Sequence, residues 1–143
     1  MSKSNAFETD FLELIFNAVT IANIADDAAS APATSLYVSL HTADPGEAGD
    51  QTTNETSYTS YARVAVARTS GGWTVSGNTV SNTAAITFPT CGATGATLTH
   101  FGIGTSASGA GNLLMSGALT ASLAVSNGVT PEFATGQLTA TED

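Results

Sequence analysis

Positive charge is the scarcest feature of this 143-residue chain. Lys3, Arg63 and Arg68 are its only cations, set against 12 Asp and Glu, for a net charge of −9. Neutralising phosphates requires clustered Lys and Arg, so nucleic acid is excluded as an ordinary partner. The same shortage disfavours an anionic membrane surface. Cysteine is nearly absent as well. With Cys91 alone, neither an intrachain disulfide nor a cysteine metal site can form. No apolar run approaches the about 20 residues that cross a bilayer. The start, MSKSNAFETD, has one cation followed by acids, which is not the pattern of a secretory leader. There are no heptads, no G-X-Y triplets and no exact internal repeat. Charged residues make up only 10% of the chain. A folded monomer of this size exposes on the order of 6,800 Å², or about one charge per 450 Å². Its skin must be mostly Thr, Ser, Asn, Gly and Ala. Neighbours can cover such a surface without burying many unpaired charges.

What is present is apolar periodicity, in a chain that is 42% hydrophobic. Phe7, Phe11, Leu14, Ile15, Ala18 and Ala22 recur at helical steps. Asn5 followed by Glu8 fits an N-cap with a capping-box acid. The spacing predicts one amphipathic helix from about Asn5 to about Ile24. Phe16, Val19 and Ile21 widen its apolar surface, so it needs cover on more than one side. The segment 26–35, DDAASAPATS, reads as a linker.

After the linker the period switches to two. SLYVSLHT (35–42) places Leu36, Val38 and Leu40 on one face and Tyr37, Ser39 and His41 on the other. An acidic loop, 43–57, follows. YARVAVAR (61–68) alternates again. Ser70-Gly71-Gly72 reads as a hairpin turn into 73–80, with a turn or bulge at Ser76-Gly77-Asn78. Further strands are expected over 84–90, 98–105, 113–120, 123–126 and 132–142. Short strands at this spacing, separated by turn residues, indicate a mostly β fold. The expectation is a single β-sandwich or jelly-roll-like domain over 35–143, preceded by a helix and linker over 1–34. Trp73, Phe88, Phe101, Ile103 and Phe133 are its expected core anchors.

Chemistry-bearing constellations are few. His41 and His100 are the only histidines, without HxH or HExxH spacing, and both read as ordinary strand residues. No G-x-S-x-G elbow occurs. FGIGTSASGAG (101–111) contains G-x-G, but no helix follows and no Lys is near, so its glycines read as turn residues. Asp44, Glu47, Asp50 and Glu55 lack the D-x-D-x-D-G order of a calcium loop and read as a solvated acidic loop. Cys91 reads as an inert thiol. No catalytic, cofactor-binding or metal residue is assigned, and no enzyme activity is expected. Two of the three cations, Arg63 and Arg68, lie on one strand of an acidic protein. Two readings stand for them: an intramolecular pair with a loop acid, or a contact with a like copy or partner.

The segments LYVSLHTADPGEAG (36–49), YARVAVARTSGGWTVSGNTVSN (61–82), AAITFP (84–89), HFGIGTSASGAGNLLMSGAL (100–119) and TPEFATGQLTATED (130–143) resemble a family of small tailed-bacteriophage virion proteins. These proteins carry the label phage tail fibre protein. The resemblance covers most of 35–143 and implies a structural virion component, assembled in the host cytoplasm, whose partners are other virion proteins. Two roles follow. The first is a capsid decoration (cement) protein bound to the major capsid protein, as a homo-oligomer with a trimer favoured, because multivalency strengthens weak contacts. The second is a tail-associated or tail-fibre protein for host attachment, with glycans stacked on Tyr37, Tyr58, Tyr61 or Trp73. Phe7, Phe11, Leu14, Ile15, Arg63 and Arg68 are the expected partner-interface residues.

Overall fold

The structure is a computed structural model that describes residues 5–21 and 33–142. It is mostly β, with antiparallel sheets and one N-terminal helix, in keeping with the β-sandwich class expected. The residues cluster into two compact units. One comprises 1–35, 66–86 and 133–143, and the other 36–65 and 87–132.

In the first unit, helix α1 spans Asn5–Asn17. It stops one and a half turns or more short of the expected end near Ile24. Ala18 adopts φ 57°, a left-handed conformation that no helix continues through, and the Val19 N–H turns back to the Glu13 carbonyl at 3.1 Å. Residues 22–24 and most of the expected linker lie outside the described residues. The helix packs on strands β3 (Trp73–Ser76) and β4 (Thr79–Asn82). These two form a hairpin with Ser76 opposite Thr79, so Gly77-Asn78 is the two-residue turn. Gly77 at its first position has φ 60°, which suits a II′-type hairpin. Strand β9 (Thr139–Thr141) pairs with β4 to complete the sheet β3-β4-β9.

The core of this unit gathers around Trp73, which is 0% exposed. Phe16 meets it edge-on at a ring separation of 4.9 Å. Leu12, Val80 and Leu138 of this unit are buried as well. Burial of Leu12 and Phe16 contributes about 1.5–3 kcal/mol each. Asn82 is also buried. Its amide donates to the carbonyls of Ala84 at 2.8 Å and Ala134 at 2.9 Å, while its oxygen accepts from Leu138 N–H at 2.9 Å. One fully satisfied polar side chain thus fastens the C-terminal segment to β4.

The second unit is built on β1 (Ser35–His41), β6 (Ala96–Gly104) and β7 (Leu113–Val125), with β2 (Val64–Ala67) beginning in it. Their sheet runs β2-β1-β6-β7. Val38 opposes Ile103 and Leu40 opposes Phe101 across β1 and β6, which lines up one apolar face. Two short strands, β5 (Ile86–Thr87) and β8 (Glu132–Phe133), form a two-stranded sheet. Of the expected anchors, Trp73, Phe88, Phe101 and Ile103 are buried, while Phe133 is only half-buried. The expected polar face of β1 is not a solvent face, since Ser39 and His41 are both 0% exposed.

Candidate functional site

A connected polar network lies in the second unit, where the 43–57 loop returns along β1. Thr56 N–H donates to Leu40 O at 2.9 Å, and His41 bridges to Glu55. Tyr61 and Arg63 precede β2 at i, i+2 spacing, so both side chains reach the same side as Glu55. Arg63 Nε donates to Glu55 Oε1 at 2.6 Å and Nη2 to Oε2 at 2.7 Å, a bidentate fork. The arginine side chain is 2% exposed and the glutamate 16%. Two of the three remaining guanidinium protons go to the carbonyls of Ser106 and Gly109, each at 2.8 Å. Tyr61 donates to Glu55 Oε1 at 2.8 Å and accepts from Leu40 N–H at 3.1 Å. Burial pushes its phenol well above the usual range, so it stays a donor. One ion pair therefore pins two loops, 43–57 and 106–112, to the sheet.

Beneath it sits a second buried pair. Nδ1 of His41 donates to Thr53 O at 2.9 Å, so Nε2 carries the lone pair and accepts from Ser39 Oγ at 2.8 Å. Desolvation holds the imidazole below its ordinary pKa, against the Thr53 carbonyl and the Glu55 charge, which raise it; Arg63 and His100 lower it further. The pair has the outline of a nucleophile and its base. Both residues are 0% exposed, however, so no substrate reaches them, and what the pair does here is hold the loop.

Gln51 is likewise 0% exposed and accepts from Ser106 N–H at 2.9 Å, while its Nε2 has no partner. Gly102 and Gly104 make these approaches possible. A Cβ on Gly102 would lie 2.7 Å from Ser39 Oγ and 2.8 Å from His41 Nε2, and one on Gly104 would lie 2.2 Å from Gln51 Cδ. These glycines were expected to serve turns. They lie inside β6 instead, where side chains from β1 and from the loop approach the strand closely.

In the first unit Arg68 caps the helix. Its Nε donates to Ile15 O at 2.5 Å, its Nη2 to Leu14 O, and its Nη1 to Ala33 O at 3.3 Å. The last turn of α1 has no basic residue of its own. Arg68 supplies both the donors for orphan carbonyls and the cation that the helix C-terminus favours.

The six expected interface residues are thus distributed as follows. Leu14, Ile15 and Arg68 come together at the end of α1. Phe7 is 40% exposed and lies 6.5 Å from Phe11, ring to ring. Phe11, Leu14 and Ile15 are half-buried, whereas the stripe of α1 that points into the core is Glu8, Leu12 and Phe16. Arg63 stands apart in the second unit, engaged with Glu55. Of the four aromatics considered for sugar stacking, Trp73 and Tyr58 are buried, and Tyr37 and Tyr61 are half-buried.

A surface cleft of about 280 Å³ is lined by Gly46, Glu47 and Gly49 of the acidic loop and by Leu113, Leu114, Met115 and Ser116 of β7. Small-molecule sites start near 300 Å³. This cleft suits a side chain better than a cofactor.

Comparison with protein families gives one match over residues 2–141, to the family described as Podophage GP4 fiber I protein gp80. No curated protein matches the chain. Because the match spans nearly its whole length, the chain belongs to this phage fibre family and is a bacteriophage virion structural protein.

Proposed function

We propose that the chain is a fibre-associated component of the virion that acts only through protein–protein contacts, without catalytic turnover. The family match over 2–141 carries this reading. The chemistry supports it: the Ser39–His41 pair is sealed, and the cleft beside β7 is side-chain sized. Copies of the chain associate in this proposal, with a trimer favoured, and assembly takes place in the host cytoplasm. The outer stripe of α1, with Phe7, Phe11, Leu14 and Ile15, meets a neighbouring virion subunit. Because Phe16 packs on Trp73 and Leu12 is buried, that contact is tested by Phe11→Ser and Leu14→Ser rather than by removing the helix.

Capsid decoration is the second reading. Two small antiparallel units without heptads or repeats favour it, and its partner would be the major capsid protein. Immunogold labelling of intact particles separates the two. The fibre reading expects gold at the tail or neck of the particle. Label spread evenly over the head would replace it with decoration.

A further inference from the structure

Strand β7 ends the sheet order β2-β1-β6-β7, so one of its edges carries no neighbouring strand among the described residues. From Met115 to Ala118 it pairs regularly with Ile103 to His100, and Leu113 pairs with Gly104 after one irregularity. Beyond that, Ala118 opposes His100 and Leu123 opposes Leu98, so residues 119–122 stand against Thr99 alone. That bulge ends the regular edge. The usable stretch is 113–118. Proteins usually blunt a free edge with charge, Lys above all, with Pro or with bulges. The sequence LLMSGALTASLAV has no charge and no Pro, and its two irregularities leave 115–118 regularly paired.

The cleft lies against the same stretch, with Leu113, Leu114 and Met115 giving it an apolar side and Glu47 an acidic one. Its loop is pre-formed. Asp44 Oδ1 accepts from Gly46 N–H at 2.9 Å, Gly49 N–H donates to Gly46 O at 3.2 Å, and Asn54 Nδ2 donates to Asp44 O at 2.8 Å. Asp50 is engaged with Thr52. Neither described arginine reaches Glu47: Arg63 is held by Glu55 and Arg68 by the end of α1.

We propose that this edge and cleft form one docking site for an extended, basic segment of a different virion protein. The segment adds a strand beside residues 113–118, and a Lys or Arg from it enters the cleft. Its methylene stem lies on Leu114 and Met115, and its charged head meets Glu47. A second copy of the chain is the poorer occupant, because each copy carries −9 and both described arginines are engaged internally. The inference rests on the virion reading and names the chemistry of one partner.

The test uses phage particles carrying the full chain with Leu114 replaced by the photocrosslinker benzoylphenylalanine, together with Glu47→Lys and Glu47→Gln. Irradiated particles should yield a crosslink to a different virion protein, near a Lys or Arg of that protein. Glu47→Lys should lower incorporation into particles at least about tenfold through like-charge repulsion, with Glu47→Gln intermediate. The isolated Glu47→Lys protein should melt as the parent does, since Glu47 is exposed. A crosslink only to a second copy, or undiminished incorporation of Glu47→Lys, overturns the inference alone. Absence of the parent chain from purified particles overturns the virion reading and this inference with it.

Discussion

Removing Arg63 should cost far more than a surface ion pair would. In Arg63→Met the Glu55 carboxylate keeps Tyr61 but loses both fork bonds, and the carbonyls of Ser106 and Gly109 lose their donors. Breaking one side of a buried pair costs about 3–5 kcal/mol. Glu55 retains 16% exposure, so water softens the loss and the lower end, about 3 kcal/mol, applies. For a chain of this length that corresponds to a fall in Tm of roughly 6–12 °C. Glu55→Met alone should cost a similar amount, because it leaves a guanidinium that is 2% exposed without its anion. The double variant Arg63→Met/Glu55→Met should lie well above the sum of the singles, since no uncompensated charge remains. Urea unfolding followed by circular dichroism measures all four proteins. Singles that each lose less than about 1 kcal/mol, the range of exposed pairs, would refute the claim that this clamp is buried and structural.

Arg68→Leu should destabilise by about 1–3 kcal/mol by removing a charged cap from α1, read as lost helical signal and a lower urea midpoint. Ala18→Gly should stabilise by about 0.5–1 kcal/mol, because glycine accepts φ 57° without strain; an unchanged or lower midpoint contradicts the left-handed stop. Gly104→Ala should cost at least about 1–3 kcal/mol, since its Cβ would meet Gln51, and Gly104→Ala/Gln51→Ala should recover part of that loss. His41 has a folded pKa below its ordinary 6.5, so the unfolded chain takes up the proton first. The stability tied to its neutral form is complete above pH 6.5 and is lost as pH falls from there toward the folded value. His41→Gln should flatten that limb of a pH–stability curve, and an unchanged slope would contradict it.

Much of the β framework was legible because period-two alternation survives wherever one face is apolar. The runs at 35–42 and 98–105 became β1 and β6 within a residue or two. The faces were harder to read. Ser39 and His41 looked solvent-facing, yet a loop from residues 43–57 covers them, and local alternation carries no record of a returning loop. The helix shows a related limit. It is apolar on several sides, so the stripe Phe7, Phe11, Leu14, Ile15 and the stripe Leu12, Phe16 were both available, and only the position of Trp73 chose between them. Arg68 was visible as a rare cation, but two of its carbonyl partners are more than fifty positions away. Arg63 had a readable signal. Tyr61 and Arg63 at i, i+2, after a loop ending in Glu55, put three hydrogen-bonding groups within reach of one another. The G-x-G at 102–104 also had one, because two glycines inside an otherwise β-branched and aromatic run mark a strand that other groups cross closely.

The chain is a virion structural protein, and we propose that it sits on the fibre apparatus of the particle. Its copy number in purified virions, by quantitative gel or mass spectrometry against the major capsid protein, tests this most directly. A fixed stoichiometry of dozens of copies or fewer per particle is expected. Hundreds of copies would contradict the fibre placement in favour of a shell coat, and none at all would contradict the virion role itself.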